Sequence, residues 1–106
     1  MKIALDYDET FTADPELWKM FISACEYRGH SVKFVTYRPD RNDGYNDDIL
    51  LDAESLKIDV IFTGGKQKEN FWDADVWIDD SPETIPCAKK LGDMYDGCLI
   101  NNDMEG

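Results

Sequence analysis

The chain carries IALDYDETF at residues 3–11 and VWIDDSP at residues 76–82, and these two stretches decide the fold. In each, a short apolar run opens directly into acidic residues, Asp6 and Asp8 in the first and Asp79 and Asp80 in the second. Carboxylates gathered at strand ends are costly unless they surround a positive group, and hard cations such as Mg²⁺ prefer oxygen ligands. The pattern predicts two buried strands that end at a divalent cation site, where one carboxylate is free to act as a nucleophile.

Length and composition predict a single domain spanning residues 1–106. With 106 residues and 42% hydrophobic content, the chain can form one core of ordinary size. No apolar run approaches the roughly 20 residues of a membrane span, and no basic-then-apolar leader opens the sequence. We therefore expect a cytoplasmic protein with no membrane partner.

The charge balance restricts the partners. The formal net charge is −12, and removing the four clustered aspartates still leaves an acidic surface. Such a field disfavours general nucleic-acid binding, although a metal ion and a few basic groups can reverse it inside a pocket. The three cysteines and single histidine lack the spacing of a zinc site or a disulfide scaffold, so they predict core cysteines in a reducing compartment.

Apolar runs and helical periodicity alternate along the whole chain. Strands are predicted at residues 2–5, 32–35, 58–62, 76–78 and 98–100. Helices are predicted from Pro15 to near Gly29, over about residues 45–56, over a short segment at 67–72, and from Ser81-Pro82 to Gly92. Alternating elements with continuously apolar strands are typical of an α/β fold, here a five-stranded parallel sheet with helices on both faces.

The distinctive polar residues follow the predicted strands, where open α/β sheets bind their ligands. They are Asp6 and Asp8 after the first strand, Thr36 and Arg38 after the second, Lys66 and Lys68 before the fourth, and Asp79 and Asp80 after it. Together they supply carboxylates, a hydroxyl and an amine, which are the groups that phosphoryl transfer through an aspartyl phosphate requires.

In the order of these motifs the chain resembles the haloacid dehalogenase-like (HAD) phosphohydrolases. DYDET at residues 6–10 matches their D-x-D-x-T motif, Thr36 fits the second motif, and Asp79-Asp80 fits the acidic fourth motif. The third-motif lysine is either Lys66 or Lys68, and the spacing to the fourth motif favours Lys68. The resemblance implies a HAD-like Rossmannoid three-layer sandwich. One departure is Glu9, where many members have glycine, so the turn after the first motif is expected to differ in shape.

The resemblance also implies a role for each matching residue. Asp6 would be the nucleophile, and Asp8 would protonate the leaving oxygen and then activate water. The family's Mg²⁺ would be held by Asp6, the backbone carbonyl of Asp8, and Asp79, with Asp80 as a direct or indirect partner. Thr36 would bind a phosphate oxygen, and the lysine would offset negative charge.

The intervals between motifs leave no room for the cap domain that most members carry. The expected protein is therefore a capless, magnesium-dependent phosphomonoesterase that acts on an accessible phosphate of a small or large substrate. The T-x-R run that brings Arg38 close to Thr36 favours a nucleotide or nucleic-acid-end phosphate, with a small sugar or metabolite phosphate as the alternative.

A second hypothesis is a protein with the same fold and no catalytic activity, namely a HAD-like module that binds metal or phosphate. A phospho-receiver domain also uses Asp, Thr and Lys on a five-stranded sheet. Its phosphoacceptor follows the third strand, however, and here the third predicted strand runs into Thr63-Gly64.

Overall fold

The computed structural model describes residues 1–87, which form an α/β domain around a four-stranded parallel sheet. The strands are β1 (Lys2–Leu5), β2 (Ser31–Thr36), β3 (Asp59–Phe62) and β4 (Val76–Ile78), in the order β3-β2-β1-β4. The longer helices are α1 (Pro15–Tyr27) and α2 (Asp47–Leu56). The predicted α/β class is confirmed, and all four strands lie within two residues of their predicted positions.

The start of α1 follows from capping, whereas α2 has no side-chain cap at its start. At the start of α1 the Asp14 carboxylate accepts a hydrogen bond from the Leu17 amide at 3.3 Å, and Pro15 occupies the first helical position. The predicted start of α2 at residue 45 is wrong by two residues. Asn46 lies just before the helix and donates its side-chain amide to the carbonyls of Pro39 and Arg41, so this residue ties down the preceding loop.

Within residues 1–87, three shorter turns lie beside the strand ends: a kinked turn at Tyr7–Phe11, in which Asp8 and Glu9 have non-helical backbone angles, and two short helical turns at Lys68–Asn70 and Pro82–Thr84. The middle one is shorter than the predicted segment 67–72. The predicted helix that begins at Ser81-Pro82 forms only this last short turn within the described residues. Its continuation and the predicted fifth strand at 98–100 lie outside residues 1–87.

Both longer helices cover the same face of the sheet. The alternate strand residues Ile3, Leu5, Val32 and Phe34 form one buried cluster with Ile22 and Cys25 of α1 and Ile49 and Ala53 of α2. The ring of Phe34 packs edge-on against Tyr7 and Phe11, at centroid distances of 5.2 and 5.0 Å. The core therefore lies directly beneath the loop that carries Asp6 and Asp8, and it anchors that loop.

The strand order fixes the location of a binding site. From β1 the chain moves to β2 and then β3 on one side, and it returns to place β4 on the other side of β1. The direction of the connections reverses between β1 and β4, so a crevice opens at the carboxyl ends of these two strands. Between Thr36 and Lys68 the structure has α2 and β3 and no further helix or strand. Within residues 1–87, no helix combines the length and the apolarity needed to cross a bilayer.

Candidate functional site

Asp6 and Lys68 form the floor of this crevice. The backbone amide of Asp6 donates to the carbonyl of Ile78 at 2.9 Å, so Asp6 continues the pairing of β1 with β4. Lys68, only 2% exposed, donates from Nζ to Asp6 Oδ1 at 2.9 Å and to Asp79 Oδ2. A buried ammonium needs such carboxylate partners, and these two contacts satisfy it.

Three carboxylates meet at this floor. One oxygen each from Asp6, Asp79 and Asp80 lies within 4.8 Å of the others. The hydroxyl oxygen of Thr10 is 3.2 Å from both Asp6 Oδ2 and Asp80 Oδ1, and its single proton serves one of them at a time. The oxygen-only donor set fits a hard divalent cation such as Mg²⁺.

The Asp6 carboxyl is strongly perturbed. Burial raises its pKa to about 7; hydrogen bonding to Lys68 opposes this shift, and contact with Asp80 adds to it. Without a further positive charge, Asp6 is therefore only partly ionised near neutral pH. A cation bound by the three carboxylates would favour the ionised form.

The Asp8 side chain lies apart from these carboxylates and is held by Arg38. Arg38 donates from Nε and Nη2 to the two oxygens of Asp8, at 2.9 and 2.7 Å. The same guanidinium donates to both oxygens of Asp48, at 2.7 and 3.0 Å. Hydrogen bonds from Arg38 lower the pKa of Asp48, and the two aspartates raise the pKa of Arg38.

An open cleft of about 370 Å³ lies above the floor. The lining includes every predicted site residue, namely Asp6, Asp8, Thr36, Arg38, Lys68, Asp79 and Asp80. Thr36 is 1% exposed, and its hydroxyl oxygen accepts a hydrogen bond from the Arg38 amide at 3.2 Å. Within residues 1–87 this is the only hydrogen bond of that hydroxyl, so its proton can be donated to a ligand.

Of the two candidate lysines, Lys68, which the spacing favoured, contacts the carboxylates. Lys66 is exposed and does not line the cleft. Arg38 lines the cleft, but it is bound by two carboxylates of the protein rather than left open to a ligand. Tyr7, which lies between Asp6 and Asp8 in the sequence, is 2% exposed and stacks on Phe11 in the core.

The turn after Asp8 has an unusual backbone. Glu9 has φ 63°, in the left-handed region that glycine enters without strain. The turn after Asp8 therefore has a left-handed residue that carries a carboxylate, and this residue lines the cleft.

Sequence reasoning missed two residues that organise the site. Asp48 is a first-turn residue of α2, where an acidic side chain is usually explained by the helix dipole, so nothing in the sequence indicated its bond to Arg38. Gln67 accepts a hydrogen bond from the Tyr37 hydroxyl at 2.6 Å and donates to the carbonyls of Glu83 and Pro86. In the sequence, only its position next to Lys68 indicated that Gln67 belongs to the site.

No family model, curated protein or solved structure matches this chain. Fold and site together define an α/β domain with a cluster of three carboxylates, two of them bonded to a buried lysine, at the switch point of a parallel sheet. Any functional assignment therefore depends on the residues of that cleft.

Proposed function

We propose that the protein is a magnesium-dependent phosphomonoesterase of the HAD-like type, acting through an aspartyl phosphate on Asp6. The proposal includes the family's five-stranded Rossmannoid core without a cap, and a cytoplasmic setting. The observation that carries it is the buried Lys68, which bonds Asp6 and Asp79 beside Asp80. A structural ion pair needs one carboxylate, whereas this lysine lies among three that converge on an open cleft.

In the proposed reaction an Asp6 oxygen attacks the phosphorus and the bond to the ester oxygen breaks. Asp6, Asp79 and Asp80, with the backbone carbonyl of Asp8, would hold Mg²⁺, and the bound ion would supply positive charge that stabilises the phosphoryl oxygens. The Thr36 hydroxyl donates to a phosphoryl oxygen, and the Lys68 ammonium offsets charge on the phosphoryl group and on Asp6.

Asp8 transfers the protons. It gives a proton to the departing ester oxygen, then takes one from the water that attacks the aspartyl phosphate, and phosphate leaves with Asp6 regenerated. Both oxygens of Asp8 accept hydrogen bonds from Arg38 in the resting protein. This pair must open or shift before Asp8 can reach the ester oxygen, and an incoming phosphate dianion is a competing partner for Arg38.

The substrate is a phosphate monoester that enters a cleft left open by residues 1–87. An open cleft suits a large phosphorylated molecule, or a small one covered by a partner subunit. A nucleotide or nucleic-acid-end phosphate remains the first choice because of the T-x-R run, and such a phosphate has to replace a carboxylate partner of Arg38.

The test is phosphate release from phenyl phosphate with Mg²⁺, with EDTA and with the Asp6→Asn variant. We expect release that needs Mg²⁺ and is lost in Asp6→Asn, while circular dichroism shows the variant folded. Equal turnover by wild type and this variant would rule out the mechanism.

A non-catalytic module that binds metal or phosphate is the second candidate, and the Arg38–Asp8 pair favours it because it engages both oxygens of the proposed acid. Beryllofluoride separates the two candidates, since it mimics phosphate on a reactive aspartate. Thermal stabilisation that needs Mg²⁺, beryllofluoride and Asp6 together supports the enzyme. Stabilisation by Mg²⁺ alone supports the module.

A further inference from the structure

Tyr37 presents an aromatic surface directly beside the proposed phosphate site. It follows Thr36 at the end of β2, it lines the cleft, and it is 37% exposed. Its ring centroid lies 5.8 Å from Nζ of Lys68, the amine that contacts Asp6. A group attached to a phosphate at Asp6 therefore leaves the floor of the cleft close to this ring.

The ring is held in one orientation by its own hydroxyl. Tyr37 donates to Gln67 Oε1 at 2.6 Å, and Gln67 Nε2 donates to the carbonyls of Glu83 and Pro86 at 2.9 and 2.8 Å. Three chain segments that border the site are joined through this one amide. A tyrosine fixed at both ends offers a contact surface that loses little conformational entropy on binding.

The other exposed tyrosine of the cleft, Tyr45, is engaged differently. It is 50% exposed, but the guanidiniums of Arg41 and Arg38 lie 4.7 and 5.7 Å from its ring centroid. Two guanidiniums therefore lie over Tyr45, whereas the one cation contact given for the Tyr37 ring within residues 1–87 is the more distant Lys68 ammonium, at 5.8 Å. Tyr37, whose ring is less covered by cations and is fixed through Gln67, is the better candidate for contact with a ligand.

We propose that Tyr37 selects phosphate monoesters whose ester group carries an aromatic ring, by stacking on that ring while the phosphate lies on Asp6 and Lys68. This inference rests on the phosphate site of the proposed function. The shared chemistry is a flat aromatic ring, which an aryl-type alcohol and a nucleobase both supply. Offset or edge-to-face aromatic contact is worth about 2- to 12-fold in affinity beyond area burial.

The first test measures binding, so it does not depend on turnover. The probes are benzylphosphonate and cyclohexylmethylphosphonate, which match in charge and nearly in size and differ in the aromaticity of the ring. With saturating Mg²⁺, we expect calorimetry to show about fivefold tighter binding of the benzyl compound by wild type. A merely apolar wall would favour the more hydrophobic cyclohexyl ring instead.

Three variants assign the preference to one side chain. Tyr37→Leu should abolish the benzyl preference, and Tyr37→Phe, which keeps the ring and loses the Gln67 bond, should reduce it. Tyr45→Leu, in the same cleft, should leave the ratio of the two affinities unchanged. A preference that survives in Tyr37→Leu overturns the inference, and so does equal binding of both probes by wild type.

The second test compares catalytic efficiencies for benzyl phosphate against cyclohexylmethyl phosphate, and for a nucleoside 5′-monophosphate against ribose 5-phosphate. If Tyr37 favours benzyl phosphate in the first pair, the substrate's aromatic ring is bonded close to the phosphate. If Tyr37 favours the nucleotide in the second pair, the substrate's aromatic ring is a nucleobase. Asp6-dependent hydrolysis with no preference in either pair overturns the inference and leaves the phosphatase intact. Binding preference without any hydrolysis overturns the phosphatase and leaves the inference intact.

Discussion

Arg38 binds the carboxylate of Asp8 through two parallel hydrogen bonds, of 2.9 and 2.7 Å, across 30 residues of sequence. The same guanidinium also binds Asp48, so one cation holds two carboxylates that would otherwise repel each other. The arginine side chain is 14% exposed and the aspartates are about half exposed, at 50% and 54%. The Arg38 network therefore ties the first-motif loop to the start of α2.

Arg38→Met should lower the free energy of unfolding by about 1–2 kcal/mol. Charged hydrogen bonds are worth more than this in buried settings, and solvent at the two half-exposed aspartates reduces the effect. Urea denaturation measures the loss. Arg41→Met is the matched control, because its pair with Asp43 is exposed on both sides and should change stability by less than about 0.5 kcal/mol. Equal stability of both variants would show that the Arg38 network is not stabilising.

Lys68→Met should destabilise the metal-free protein by about 3–5 kcal/mol, since it leaves Asp6 and Asp79 without their buried counterion. Mg²⁺ should recover part of that loss by supplying the missing positive charge. Lys66→Met changes the same residue type two positions away, at an exposed side chain, and should be neutral. Denaturation with EDTA and with Mg²⁺ tests both variants. A large effect at Lys66 instead would reverse the assignment of the third-motif lysine.

Asp80→Asn should raise the stability of the metal-free protein by about 0.5–1 kcal/mol while weakening Mg²⁺ binding at least tenfold. Asp80 is exposed, its contact with Asp6 raises the pKa of that carboxyl, and Lys68 bonds the other two carboxylates rather than this one. Thermal melts over a Mg²⁺ titration measure both effects. Glu83→Gln removes a nearby exposed charge as a control and should alter neither.

The pKa of Asp6 predicts how stability depends on pH. The native value is about 7 against an ordinary value of 3.8, so folding favours the protonated form. This contribution to stability is complete below about pH 4 and is lost as pH rises to 7 and beyond. In EDTA, the melting temperature of wild type relative to Asp6→Asn should therefore fall across that interval. The stabilisation by Mg²⁺ should increase over the same pH interval, because the ion binds the ionised form of Asp6. A wild-type-to-variant difference that stays flat with pH would contradict the shifted pKa.

Glu9→Gly should leave stability unchanged or raise it by up to about 1 kcal/mol, because the residue has a left-handed φ of 63°. Glu16→Gly makes the same chemical change in the first turn of α1, where glycine should cost about 1 kcal/mol. Comparing the two urea midpoints isolates the backbone effect. A comparable loss at both sites would mean that the Glu9 side chain makes a stabilising contribution.

The sequence predicted the parts of the molecule that depend on local pattern. Strand β1 and strand β4 have their predicted limits, because each is an apolar run closed by aspartates, and the topology then brings the motif residues into one cleft. The directions of long polar side chains were not predictable. Arg38 was expected to contact a phosphate, but it bonds Asp8 and Asp48. The partner of this side chain depends on which carboxylates lie nearby once the sheet has formed. Tyr7 packs into the core for a similar reason: Phe34 of the neighbouring strand lies beneath it.

The strand order has a consequence for the order of folding events. Asp6 meets Lys68 across 62 residues of chain, and β4 pairs with β1 although two strands and both longer helices intervene. Such long loop closures are slow and come late, after local helices have formed. A growing chain on the ribosome would thus expose Asp6 and Asp8 long before their partners are synthesised. Within residues 1–87 the cleft needs β1, β2 and β4 to be in place together, so a ligand that occupies it reports that these distant segments have assembled.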